Sequence, residues 1–263
     1  MSRKALFFDV DGTLINQLNG GVPESAAAAI AAARRNGHLV FINSGRTYGY
    51  IGPVKGMVEA DGYLCGCGTY VVAEGEVLYS HRIPHERGVQ IKKDILRYGC
   101  DGVLESLESC YFRKEKSWIP VVEEIREAVK HSGQESPYSW EEDCYEYDKF
   151  CVLTDENSDW EGLLKTLEPD IKAIDRGKGF YECVPAGHSK ATAIEIVLKH
   201  YGIPLEDAYV FGDSTNDLPM FEYAKNCILM ADHDKELEPY ATFVTKSVEE
   251  DGIAYAMKEL GLI

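Results

Sequence analysis

At 263 residues, with 45% hydrophobic and 27% charged side chains, the chain has room for two modest domains or one large α/β domain, and its composition is globular. A formal charge of −17 argues against a nucleic-acid surface, which needs clustered Lys and Arg, but leaves room for a small anionic substrate where a few donors or a divalent cation reverse the local field. No apolar run approaches a membrane span and the first residues carry no signal-peptide pattern, so a cytoplasmic protein is expected. The eight Cys form no Cys-x-x-Cys pair and lie near no His at zinc spacing, which makes them structural thiols.

Leu6-Phe7-Phe8-Asp9-Val10-Asp11-Gly12-Thr13 reads as a buried parallel strand that opens into a polar turn carrying two carboxylates. A polar loop, 16–21, precedes an Ala-rich helix over 25–35, with Pro23 in its first turn, Arg near its end and Gly37 beyond. A second strand, 38–42, runs into Asn43-Ser44-Gly45-Arg46, and a third at 61–64 is followed by a hairpin of 70–72 with 77–79. From Pro84 the texture changes: helices over 85–98, 119–131 and 159–167 alternate with strands at 103–107, 110–113, 150–153, 171–175 and 180–184. Helix and apolar strand then resume with Lys190–Tyr201, a strand over 207–211 ending in Gly212-Asp213-Ser214-Thr215-Asn216-Asp217, strands at 227–230 and 241–244, and a closing helix over 247–260. The partition is an α/β, Rossmann-like parallel-sheet core of residues 1–83 plus 185–263, with an inserted α+β domain of 84–184.

Three strand ends carry polar chemistry: Asp9 and Asp11, Ser44 with Gly45, and Asp213 with Asp217. In an open parallel sheet they share one edge, and Lys190, at a helix start, can point into the same crevice. Carboxylates that close repel, by about 4 kcal/mol per pair at ~4 Å and an effective dielectric near 20, so something positive must sit among them. Asp oxygens without His or Cys favour a hard cation, Mg²⁺ fitting best, and phosphoryl transfer is the chemistry that wants such a site.

The motif set resembles the haloacid dehalogenase superfamily, in particular Mg²⁺-dependent phosphatases of its Cof-like branch with a C2-type cap. Asp9-Val10-Asp11-Gly12-Thr13 matches the first motif, Asn43-Ser44-Gly45-Arg46 the second, Lys190 the third and Gly212-Asp213-Ser214-Thr215-Asn216-Asp217 the fourth. The resemblance implies Asp9 as nucleophile forming an aspartyl-phosphate and Asp11 as general acid and base. It further implies that Lys190 keeps Asp9 ionised, that Ser44, Gly45, Gly12 and Asn216 hold the phosphoryl oxygens, and that Mg²⁺ is bound by Asp9, Asp11 and Asp213 with Asp217 orienting its waters. The expected substrate is a small phosphorylated metabolite, a sugar phosphate or similar, and the expected assembly a monomer or small homo-oligomer.

The loop after Thr13 is too short to roof the site, so the 84–184 insert is the expected lid, with substrate contacts sought at Glu141, Tyr145 and Arg176, and also at Glu142, Asp143 and Tyr48. Arg46 stays open between pairing and substrate contact, and His188 is a poor candidate for an acid because Asp11 fills that role. Three rivals share the catalytic residues or their clustering: a phosphomutase-type phosphotransferase, a receiver-like module and a non-catalytic phosphometabolite-binding regulator. Asp11 and the long insert count against the receiver.

Overall fold

A computed structural model describes residues 2–15 and 20–263, so the polar loop expected over 16–21 falls largely outside the described residues. The chain divides into two compact units, the first of Met1–Gly45, Gly52–Ser80 and Ser189–Ile263, the second of Arg46–Ile51 and His81–His188. Arg46–Ile51 belongs to the second unit, which no change of composition announces.

The first unit is built on β1 (Ala5–Phe8), α1 (Glu24–Arg35), β2 (Leu39–Asn43), β3 (Gly62–Cys65), β4 (Tyr70–Ala73), β5 (Glu76–Ser80), then α5 (Lys190–Tyr201), β11 (Ala208–Gly212), α6 (Leu218–Tyr223), β12 (Asn226–Leu229), β13 (Phe243–Val244) and α7 (Gly252–Glu259). Its eight strands run in the order β13-β12-β11-β1-β2-β3-β4-β5, paired in parallel as far as β3, with β4 and β5 joined by antiparallel pairing at the edge. All four side chains of β1 are buried, as expected of a central parallel strand covered on both faces. Phe8 lies beside Phe211 of β11 and Ile42 of β2, so Asp9, just past β1, follows level with Gly212 and Asn43, the last residues of β11 and β2.

Stacked rings hold that register, Phe8 on Phe211 at 4.5 Å and Phe7 on Phe41 at 5.2 Å between centroids. The helix α5 buries Ala193, Ile194, Val197 and Leu198 against Phe7, Phe41 and Val210. Ser189 and Thr192 form a capping box at its start, and Gly202 closes it in the left-handed conformation. Two helices of this unit depart from the sequence pattern. The final helix starts at Gly252 and not at 247, because Gly252 N–H bonds back to Ser247 and Asp251 takes a positive φ of 62° that no helix continues through. The short α6 was hidden because Asp217-Leu218-Pro219 reads as a turn, although proline is well accommodated in a first helical turn.

The second unit contains α2 (His85–Arg97), β6 (Asp101–Glu105), β7 (Cys110–Tyr111), α3 (Pro120–His131), β8 (Lys149–Leu153), α4 (Trp160–Leu167), β9 (Ile171–Asp175) and β10 (Phe180–Pro185). Its sheet is antiparallel, in the order β7-β6-β8-β10-β9. Leu104, Phe150, Val152 and Cys183 pack with Ile91 and Ile95 of α2 and Leu163 and Leu167 of α4. The alternate residues Val103, Cys151 and Leu153 pack with Ile119, Val122 and Val129 around α3. Among the described residues the eight cysteines form no disulfide, and no helix is long and apolar enough to cross a membrane.

Phe41 is fully buried between Phe7 and Tyr201. Phe41→Ala is expected to cost about 3–5 kcal/mol of unfolding free energy, the usual penalty for an aromatic-sized cavity, read by urea denaturation.

Candidate active site

The strand ends meet as the register demands. Lys190, first residue of α5 and fully buried, places its Nζ 2.5 Å from Asp9 Oδ1 and 2.5 Å from Asp217 Oδ1. Asp9, Asp213 and Asp217 each offer an oxygen, and these lie within 4.8 Å of one another, all three residues buried. Three carboxylates around one ammonium leave the cluster negative when all are ionised.

That imbalance shows in the protonation equilibria. Burial pushes the Asp9 carboxyl up to about 7, Lys190 opposing and Asp217 and Asp11 adding to the rise. Burial likewise lifts Asp213 to about 9, helped by the neighbouring charges of Asp9 and Asp217 and opposed by a hydrogen bond from Thr13. For Lys190 burial works against the charge, but Asp217 and Asp9 outweigh it and the ammonium is held above its ordinary range.

The two late acids have different surroundings. Asp217 is engaged through both oxygens, Oδ1 with Lys190 and Oδ2 accepting the backbone N–H groups of Asp213 and Ser214 at 2.9 and 3.1 Å. Asp213 accepts the Thr13 hydroxyl at 2.7 Å and lies so close to Gly12 that a Cβ there would stand 2.4 Å from its Oδ2. Gly12 also holds a φ of 92°, so the turn after Asp11 admits glycine for two separate reasons. The donor set suits a hard divalent ion: carboxylate oxygens, no His or Cys, and an excess of buried negative charge for the ion to neutralise.

Asp11 is exposed at the mouth of the same turn. Ser44 and Gly45 are buried at the end of β2, Ser44 donating its N–H to Leu64 at 2.8 Å and accepting that of Cys67 at 3.2 Å. Asn216 is buried in the turn before α6 and accepts the Ser214 hydroxyl at 3.3 Å.

The sequence reading passed over three residues that hold this arrangement. Thr13 fixes Asp213, as described. Asn43 donates its side-chain amide to the Lys190 carbonyl at 3.1 Å, pinning the start of α5. Asp234 accepts Thr215 N–H at 2.9 Å and gives its own N–H to Asp213 at 2.8 Å. Thr13 and Asn43 stood inside quoted motifs, so their signal was present; Asp234 had none.

In the second unit the proposed substrate residues do not form one cluster. Glu141 accepts the Lys114 N–H at 3.0 Å, and Tyr145 stacks on Tyr111 of β7 at 3.7 Å while donating to the Ser139 carbonyl. Arg176 sits in the turn after β9, at the opposite edge of the sheet, where its N–H closes the hairpin onto Phe180. Glu142 binds back to Ser139, and Asp143 pairs with Lys92. Arg46 lays its guanidinium over the Tyr50 ring, and the His188 ring lies tilted against that of His81, 4.5 Å between centroids. A row that the sequence did not reveal crosses adjacent strands instead: Lys149 of β8 pairs with Glu105 of β6 at 3.2 Å and Glu182 of β10 at 2.5 Å, all three buried.

A model of haloacid dehalogenase-like hydrolases matches residues 6–257. The chain belongs to the haloacid dehalogenase-like hydrolase family. It is 31% identical over 265 residues to a Bacillus subtilis (strain 168) protein named "Putative phosphatase YkrA", covering 100% of both chains. Phosphoglycolate phosphatase of Archaeoglobus fulgidus is 27% identical over 264 residues, with 99% of this chain and 98% of that one covered. Among solved structures, the HAD subclass IIB sugar phosphatase BT4131 superposes with a TM-score of 0.83 at 27% identity, covering 99% of this chain and 100% of that one. BT1666 from Bacteroides thetaiotaomicron gives 0.84 at 26%, with 99% and 96% covered. With phosphatases as full-length relatives in both sequence and structure, this haloacid dehalogenase-like hydrolase is a phosphatase.

A carboxyl whose folded pKa is raised adds stability that is fully present below its unfolded value near 4 and is lost as pH climbs through the folded value. Without divalent ion, Asp213→Asn is therefore expected to gain thermal stability relative to the parent between pH 5 and 9, and added divalent ion is expected to stabilise the parent far more than the variant. Melting temperatures across that range check both signs; a variant that loses ground at pH 9 without ion contradicts them.

Proposed function

We propose that this phosphatase hydrolyses a small phosphomonoester, a sugar phosphate or similar metabolite, with Mg²⁺ and through a phosphorylated Asp9. The observation that carries the reading is the buried meeting of Asp9, Asp213 and Asp217 with Lys190 at the ends of parallel strands. Such a site does little covalent work beyond two displacements at phosphorus and works mainly by fixing charge and position.

In the first step an Asp9 carboxylate oxygen forms a bond to phosphorus while the bond to the leaving oxygen breaks. Asp11, exposed and two residues on, gives that oxygen its proton. In the second step Asp11 takes a proton from water, the water oxygen bonds to phosphorus, and the Asp9–phosphorus bond breaks to release inorganic phosphate. Ser44 Oγ, the N–H groups around Gly12 and Gly45, and Asn216 supply donors to the phosphoryl oxygens. Lys190 keeps Asp9 ionised against burial, while Asp217, committed to Lys190 and two backbone N–H groups, braces the ammonium and the loop that presents Asp213. Asp9, the Asp11 carbonyl and Asp213 would hold Mg²⁺, whose charge would neutralise the phosphoryl oxygens and further favour ionised Asp9.

The second unit is the proposed selector of the leaving group. The row Glu105, Lys149 and Glu182 supports that role better than the scattered Glu141, Tyr145 and Arg176. A buried ion-pair row gives less stability than apolar packing of the same volume, and it offers both donors and acceptors to a polyhydroxylated leaving group.

Phosphate release across phosphorylated metabolites with Mg²⁺ tests the reading. Asp9→Asn is expected to lower kcat at least about 10³-fold, and Asp11→Asn about 10²–10⁴-fold with substrate binding retained, the usual range for a general acid and base. Release by Asp9→Asn at the parent's rate would remove the nucleophile. Lys149→Met is expected to lower kcat/KM at least about tenfold for the best metabolite, a loss of ~1.4 kcal/mol of transition-state stabilisation, while p-nitrophenyl phosphate turnover changes less than twofold.

A further inference from the structure

One residue beyond Ser44 and Gly45 the chain passes from the first unit into the second, and it returns at Gly52. The six residues between, Arg46–Ile51, are fixed in the second unit by independent contacts. The Gln134 side-chain amide donates to the Gly49 carbonyl at 2.6 Å. Gly49 approaches the β6–β7 turn so closely that a Cβ would lie 2.7 Å from the Leu107 carbonyl oxygen and 2.8 Å from the Glu108 carbonyl carbon, both backbone atoms. Tyr50 packs on the apolar cluster of Val103, Phe112, Ile119, Val122 and Val129. Within the segment, Tyr50 and Ile51 both donate their N–H groups to the Thr47 carbonyl at 2.9 Å, so it is a closed turn.

The anchor is itself stiff. Gln134 follows α3, donates its N–H to Val129 at 3.1 Å and accepts the Cys110 N–H at 2.9 Å, which ties it to both α3 and β7. From Gly45 to Gly49 there are four residues, at most about 14 Å of extended chain. A displacement of the second unit that exceeds the slack in those residues must move Gly45.

We propose that Arg46–Ile51 is a tether by which the second unit sets the position of Ser44 and Gly45, with Gly49 and Gln134 as its positioning residues. The inference rests on the reading that Ser44 and Gly45 hold the phosphoryl group, and it goes beyond it: the position of these two residues depends on the anchoring of the segment that follows them and not on β2 alone. Binding of a leaving group to the second unit is thereby coupled to grip on the phosphoryl group.

The test is inhibition by inorganic phosphate in the presence of Mg²⁺, with p-nitrophenyl phosphate as substrate, for the parent, Gln134→Ala, Gly49→Ala and the control Val121→Ala, an exposed position on α3. The tether predicts a phosphate inhibition constant and a KM raised more than threefold in both tether variants and in neither the parent nor the control, with melting temperatures of Gln134→Ala and control alike. A packing role alone would lower the melting temperature and leave the inhibition constant in place. An inhibition constant for Gln134→Ala within threefold of the parent overturns the proposal, and that variant decides the matter should Gly49→Ala fail to fold. If the parent releases no phosphate, the proposed function fails instead, and calorimetric titration of parent and Gln134→Ala with inorganic phosphate and Mg²⁺ still reads the tether by the same threefold criterion.

Discussion

The ammonium of Lys190, fully buried between Asp9 and Asp217, is the interaction on which the site depends. An isolated buried charge of this kind would cost several kcal/mol, so each of the three groups is tolerated only because the others are there. The pairing joins residues 181 positions apart and fixes β1, the start of α5 and the loop after β11 against one another. It also leaves an unbalanced charge. With Asp213 beside the pair, the cluster carries more acid than base, and the two raised carboxyl pKa values, about 7 and about 9, express burial first and that excess of acid second. A divalent cation relieves it, so the arrangement that strains the protein is the one that would bind the ion.

The strand register does the geometric work. Because Phe8, Ile42 and Phe211 lie side by side, the residues that follow each of them emerge at one edge with no further device. Thr13 and Asn43 then lock first-unit elements together, one onto Asp213 and one onto the start of α5. Gly12 does the reverse, keeping clear the space that Asp213 fills.

Much of this was legible in the sequence because it rests on short-range pattern. Apolar runs that end in Asp, Ser and Gly announce strands with working ends, and the Asp-x-Asp-Gly-Thr turn is too unusual to be decoration. What was not legible depends on long-range pairing. Asp234 braces the Asp213 loop from a segment with no distinguishing composition, and Glu105, Lys149 and Glu182 are 44 and 33 residues apart until antiparallel pairing sets them in a row. Glu141, Tyr145 and Arg176 were drawn from polarity and aromaticity alone, a signal that turn residues and rings packed on a core produce equally well. Arg46–Ile51 continues the chain from a core strand, and its contacts with Gln134, the β6–β7 turn and the apolar cluster around α3 show which unit it serves.

The central claim is that one divalent ion unites the acids of β1 and of the loop after β11. Anomalous scattering from a crystal of the protein soaked in Mn²⁺ measures it directly. The account predicts one strong peak within about 2.5 Å of carboxylate oxygens from both Asp9 and Asp213, with the Lys190–Asp217 pair intact. A peak that contacts only one of these acids, or a site that stays empty at saturating Mn²⁺, would contradict it.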